Sequence, residues 1–107
     1  TPQIVRIITN LIKNSIQACQ NVSSPKINVT LKKKENVVEI KVKDNGRGIP
    51  KEIRPNIFEP NFTTKSSGMG LGLGMVKNLV NSYDGKIDFE TKIQKGTTFK
   101  ITFPLSN

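Results

Sequence analysis

Four short stretches in which apolar and polar residues alternate most constrain what this chain can fold into. Ile27, Val29 and Leu31 alternate with Asn28, Thr30 and Lys32; Val38, Ile40 and Val42 alternate with Glu39, Lys41 and Lys43. Nearer the C-terminus, Ile87 and Phe89 alternate with Asp88 and Glu90, and Phe99, Ile101 and Phe103 with Lys100 and Thr102. Side chains of a strand point alternately to opposite faces, so these stretches predict a sheet with one apolar and one wet face. Helical spacing supplies the cover. From Pro2 to about Gln20 apolar residues recur as Ile4/Val5, Ile8, Leu11/Ile12, Ile16 and Cys19, and Asn21, Ser23, Ser24 and Pro25 end the run. A short helix is expected over residues 51–57, and a longer one from about Leu71 to Tyr83 carrying Leu73, Val76, Leu79 and Val80. The expected architecture is a two-layer α/β (α+β) sandwich, one sheet under three helices.

A length of 107 residues suits one domain with one core. No apolar run approaches the roughly 20 residues of a membrane-spanning helix, and no signal-peptide pattern opens the chain. The one cysteine, Cys19, has no partner for an internal disulfide, which agrees with a reducing compartment, and its place in the helical pattern makes it a small core residue. Seventeen Lys and Arg against eight Asp and Glu give a formal charge of +9, so nucleic acid, acidic protein and nucleotide phosphate all qualify as partners. Lys32, Lys41, Lys43 and Lys100 fall on the wet face, where they read as a solvated surface. The aromatic residues are one Tyr and five Phe, of which Phe89, Phe99 and Phe103 have inward parity, which disfavours a base-stacking platform.

Three segments carry chemistry. Asn10 and Asn14 stand four apart, on one side of the first helix beside its apolar stripe; they are either a polar outer face or oxygen ligands for Mg²⁺, with Lys13 able to reach a phosphate. Asp44-Asn45-Gly46-Arg47-Gly48-Ile49-Pro50 closes the second strand. Asp44 shares the parity of Val38, Ile40 and Val42, so its carboxylate turns toward the covered face, where it needs donors such as an adenine amino group. The competing reading is an ordinary Asp-Asn-Gly turn. Glycines at 68, 70, 72 and 74, preceded by hydroxyls and Lys65, run into a helix N-terminus, an arrangement that suits a triphosphate. The run is neither a P-loop nor a dinucleotide Gly-x-Gly-x-x-Gly. Thr97, after Gly96, has inward parity and joins Asp44 as a possible reader of adenine.

In this order the segments resemble the ATP-binding domain of sensor histidine kinases, in the superfamily that includes gyrase B, Hsp90 and the mismatch-repair ATPases. Asn10-Leu11-Ile12-Lys13-Asn14-Ser15-Ile16-Gln17-Ala18 looks like the N box, Asp44 to Ile49 like the first glycine box and Phe58 to Lys65 like the F box. Gly68 to Gly74 looks like the second glycine box, and Gly96 to Phe99 like the final glycine-threonine element. The phrase Glu59-Pro60-Asn61-Phe62-Thr63-Thr64-Lys65 is similar to kinases of the nitrogen-regulation type.

The resemblance implies a Bergerat ATP-binding fold, with a mixed, mainly antiparallel sheet, binding ATP and Mg²⁺. It implies metal ligation by Asn14 and Asn10, with Lys13 beside them in the catalytic set. Nucleotide contacts are implied for Asn14, Asp44, Gly46, Gly48, Ile49, Phe58, Thr63, Thr64, Lys65, Ser66, Ser67, Gly68, Met69, Gly70, Leu71, Gly72, Leu73 and Thr97, with Thr63 to Gly72 as a lid. The γ-phosphoryl group would pass to a histidine outside this chain, which contains no histidine. Implied partners are a histidine-bearing dimerisation domain of the same protein and a response-regulator receiver domain, in a homodimeric parent with no direct nucleic-acid role. The domain is expected in the cytoplasm, whether or not the parent is anchored in a bacterial inner membrane. A related ATPase or an anti-sigma-type serine kinase would use the same pocket. Departures from the pattern are Ser15 for alanine, Gly74 within the helix, and Tyr83-Asp84-Gly85 for His-Gly-Gly.

Overall fold

A computed structural model of the chain describes residues 2–58 and 73–104. Helix α1 spans Pro2–Ala18, strands β1 and β2 span Ile27–Lys34 and Val37–Asp44, and a 3₁₀ helix covers Lys51–Asn56. Helix α2 spans Leu73–Ser82, followed by β3 (Lys86–Lys92) and β4 (Gly96–Pro104). The sheet order is β1-β2-β4-β3, and every strand pair among the described residues is antiparallel.

Register arranges the covered face in rows. Leu31, Ile40, Ile101 and Ile87 form one row, and Val29, Val42, Phe99 and Phe89 the next. The last row is Ile27, Asp44, Thr97 and Thr91, so an apolar face ends in three polar side chains. Ile7 and Leu11 of α1 and Leu73, Val76 and Val80 of α2 pack with Ile40, Val42, Phe99 and Ile101 in the core. Phe58, Phe89 and Phe99 form an aromatic line across it, with ring centroids 5.8 and 5.9 Å apart.

Two expectations about burial need correction. β1 has the predicted parity, but Val29 is 45% and Leu31 66% exposed. β1 is an edge strand, and among the described residues α1 meets mainly β2, leaving the outer half of the β1 face uncovered. In α1 the buried line is Ile7, Leu11, Asn14, Ser15 and Ala18, while Val5 and Ile16 are exposed. Apolar residues occupy a wider arc of α1 than its contact with the sheet, so spacing marked the helix but misplaced its inner side. Asn14 lies within the buried line, not beside it. Ser15 is 1% exposed and its Oγ has no hydrogen-bond partner among the described residues, an arrangement that costs on the order of 1–3 kcal/mol.

The turns depend on side-chain and backbone details. α2 ends with Gly85 N donating to Val80 O at 2.9 Å, and Asp84 takes the left-handed conformation (φ 60°) that glycine commonly supplies at a helix end. On the wet face Glu39 is buried beneath Lys34, Lys41 and Lys100, whose ammonium groups lie 3.2, 3.8 and 3.9 Å from its carboxylate. Burial pushes the Glu39 carboxyl up, but the hydrogen bond from Lys34 and the charges of the three lysines outweigh it and hold the group below its ordinary value.

Candidate functional site

The polar end of the covered face is built around Asp44, which is 4% exposed. Its Oδ1 accepts from the amide of Gly46 at 2.9 Å and from that of Thr97 at 3.2 Å. The carboxylate thus ties the turn after β2 to the start of β4 through one oxygen, and Oδ2 takes part in neither bond. Backbone amides are the donors that a buried carboxylate requires.

The turn is fixed from both sides. Arg47 N donates to Ala18 O at the end of α1, and Arg47 O accepts from Gln94 N at 2.7 Å. That second bond holds Gln94 at φ 63° in the three-residue β3–β4 loop. Asn45 fastens the α1–β1 connection: its Oδ1 accepts from Lys26 N at 2.7 Å and its Nδ2 donates to Ser24 O at 2.9 Å. A Cβ at Gly46 would stand 2.6 Å from Ala18 O, so the turn can approach α1 only with glycine there. Arg54 Nε donates to Ile49 O at 3.0 Å and links the turn to the 3₁₀ helix.

Asp44, Gly46, Gly48, Ile49 and Thr97 are therefore brought together, as expected. Asn14 is buried and Asn10 half-buried on α1, while Lys13 is exposed. Phe58 is half-buried against Phe89, with Lys77 Nζ 5.6 Å from its ring centroid. Leu73 opens α2 and is 1% exposed in the core, so its side chain packs and does not line a site. Thr63, Thr64, Lys65, Ser66, Ser67, Gly68, Met69, Gly70, Leu71 and Gly72 lie outside the described residues.

Sequence reading missed two members. Thr91 Oγ1 accepts from Ile49 N at 2.9 Å and stands 2.9 Å from Thr97 Oγ1. Its signal was present, since it continues the parity of Ile87 and Phe89 by one step. Asn45 had only the signal of a turn residue. Cys19 is buried near the same turn, where burial and then the charge of Asp44 push its thiol up against hydrogen bonds from Asn45 and Lys26. It is held as a protonated core thiol. A cleft of about 380 Å³ lined by Lys41, Asp88, Phe89, Glu90, Thr98 and Lys100 contains none of the expected site residues.

Comparisons with known proteins identify the family to which this fold belongs. The family model described as "Histidine kinase-, DNA gyrase B-, and HSP90-like ATPase" matches residues 1–107. Sporulation kinase A of Bacillus subtilis is 36% identical over 102 residues, covering 95% of this chain and 16% of that protein. An NtrY-like sensor histidine kinase of Rickettsia conorii is 36% identical over 103 residues, covering 96% of this chain and 17% of that protein. The chain thus spans a small part of the curated relatives it matches. The solved catalytic domain of histidine kinase ThkA, in a nucleotide-free form, superposes with a TM-score of 0.83 at 32% identity, covering 99% of this chain and 69% of that one. The chain belongs to the histidine kinase-, DNA gyrase B- and HSP90-like ATPase family, as an ATP-binding catalytic domain of the sensor histidine kinase kind.

Proposed function

We propose that this chain holds Mg²⁺-ATP and presents it to a histidine on a dimerisation domain of the same protein, from which a receiver domain takes the phosphoryl group. The observation that carries this reading is the row Asp44–Thr97–Thr91 at the end of an otherwise apolar sheet face, knitted to the Gly46–Ile49 turn. With Oδ1 engaged by two amides, Asp44 has Oδ2 to accept an adenine amino proton, and Thr97 lies in the neighbouring register position.

The donor set suits the group it would hold. Among the described residues no three His, Cys, Asp or Glu side chains cluster as a metal site. Mg²⁺ keeps several waters and takes much of its shell from phosphates, so Asn14 and Asn10 are the residues that would hold it, each through a side-chain amide oxygen. ATP supplies the transferable γ-phosphoryl group. The chain's own task is positioning: Asp44 and Thr97 would orient the base, Asn14 and Asn10 would hold the metal, and Lys13 adds positive charge. Gly46, Gly48 and Ile49 would bring backbone close to the base, and Phe58 packs edge-on against Phe89.

A sensor kinase working this way is a homodimer through its dimerisation domain, with this part in the cytoplasm. Among the described residues no helix is long and apolar enough to cross a membrane.

The test mixes this chain with a separately produced histidine-bearing dimerisation domain and γ-labelled ATP. Mg²⁺-dependent, acid-labile label should appear on the dimerisation domain and be lost with Asn14→Asp. Label that is acid-stable, or transfer that survives Asn14→Asp unchanged, would contradict the assignment.

A further inference from the structure

The backbone of Arg47 is fully used, since its N–H donates to Ala18 O and its carbonyl accepts from Gln94 N. Its side chain is not. Arg47 is half-buried, and its Nε and Nη2 are screened from solvent with no hydrogen-bond partner among the described residues. A guanidinium is always charged and carries only donors, so burying its N–H groups without acceptors costs free energy. The ordinary reason for a cation at this place is the C-terminus of α1, whose carbonyls carry partial negative charge. Those carbonyls already have donors: Ser15 O and Ile16 O accept from Cys19 N, Gln17 O from Gln20 N, Cys19 O from Val22 N, and Ala18 O from Arg47 N itself. Nor does Arg47 form an ion pair with a described residue, the pairs there being those of Glu39 with lysines.

The same side chain lines a cavity of about 320 Å³, whose wall includes the buried Ala18, the half-buried Val22 and the exposed Gln20, Asn21 and Gln94. Among the described residues no lysine and no carboxylate lines it. Nε–H and the adjacent N–H of Nη2 lie side by side in one plane and match the two oxygens of a carboxylate. One cation among neutral amides balances one negative charge, which favours a carboxylate over a phosphate dianion. Ala18 and Val22 offer apolar contact to a short methylene stem, and the amides offer donors and acceptors to polar groups beside it. We infer that this cavity, between the end of α1, the glycine turn and the β3–β4 loop, is a binding site for a carboxylate on a short aliphatic stem, held by the Nε and Nη2 edge of Arg47. Rotation about the side chain's own torsions brings that edge to the cavity and disturbs none of the turn's hydrogen bonds through Arg47, which its backbone makes. Such a carboxylate is carried by a glutamate side chain of a partner protein or by a small free acid. The site does not depend on where the nucleotide binds.

The experiment titrates the full chain, without nucleotide, with the peptide N-acetyl-Gly-Glu-Gly-amide, propionate, the neutral N-acetyl-Gly-Gln-Gly-amide and inorganic phosphate. Binding is followed at the Arg47 Nε–H and Gln94 amide resonances. Both should shift saturably with the two carboxylates and stay in place with the glutamine peptide. Arg47→Gln should weaken the glutamate peptide by about tenfold or more, and Arg47→Lys, charged but without the fork, by several-fold. Because the guanidinium holds nothing among the described residues, neither variant should lower the melting temperature by more than a few degrees. Saturation by the glutamate peptide at lower concentration than propionate identifies an acidic segment of a partner protein, and equal concentrations identify a small free acid. Absence of a saturable shift with either carboxylate, an equal response to the glutamine peptide, or tighter binding of phosphate would overturn the assignment. So would peptide binding that is unchanged in Arg47→Gln, or a fall of about 10 °C in the melting temperature of that variant, which would show that the guanidinium braces the fold.

Discussion

Asp44→Asn is expected to weaken ATP binding by about 30-fold or more while leaving the fold nearly intact. The asparagine side-chain oxygen can still accept from Gly46 N and Thr97 N, the two bonds that Asp44 Oδ1 makes. The other position changes from acceptor to donor, and an amide NH₂ then faces the amino group of adenine. One charge-assisted hydrogen bond is worth about 1.5–3 kcal/mol, and two donors in opposition add to its loss. At 1.4 kcal/mol per tenfold, a fall of about 30-fold or more follows. Titration calorimetry gives the affinity, and a thermal melt that moves little separates this loss from unfolding. Undiminished binding by a folded Asp44→Asn would remove Asp44 from the site.

Gly96→Ala should be the most damaging single change to fold and site together. Gly96 opens β4 at φ 128°, in a region that side-chain-bearing residues rarely adopt, and a Cβ there would collide with the carbonyl oxygen of Asp44. The same atom would stand 2.9 Å from Asn45 Cα. Backbone in such a region costs about 1–3 kcal/mol before any clash is relieved. Relief has only one direction, since the chain of Asp44 and Asn45 must move away from β4. That motion breaks the Thr97 amide bond to Asp44 and spoils the row on which the base would rest. A fall of about 10 °C or more in melting temperature is expected, because each kcal/mol shifts a domain of this size by about 4–8 °C. ATP binding should be lost even at temperatures where the variant remains folded. A melting temperature within a few degrees of the parent, with binding retained, would contradict the close approach of β4 to Asp44.

Much of the fold could be read from alternation, because parity is a local property. The rows Val38–Ile40–Val42 and Phe99–Ile101–Phe103 transfer directly into the core, and extending each row by one step placed Asp44 and Thr97 correctly. Burial is a different matter, since it depends on what lies above a residue. Val29 and Leu31 have inward parity and remain exposed because β1 is an edge strand. In α1 nearly every turn offers an apolar residue on more than one side, so spacing alone left Asn14 outside the buried line that it joins. The expected helix over residues 51–57 is a 3₁₀ helix at Lys51–Asn56, with Pro55 inside it. The contacts that hold the glycine turn, from Asn45 to Ser24 and Lys26 and from Arg54 to Ile49, have no period to betray them. Thr91 falls on the same parity, but a single threonine in a strand carries no signal of its own.

The central claim is that the polar end of the covered sheet face, and not the lysine-rich opposite face, receives the nucleotide. Amide chemical shifts of the parent chain, followed while Mg²⁺-ATP is added, test it most directly. The largest changes should fall on Gly46, Gly48, Ile49 and Thr97, with small changes at Lys41, Lys43 and Lys100. Changes confined to Lys41, Lys43 and Lys100, and abolished by moderate salt, would show a polyanion resting on a basic surface and would contradict the account.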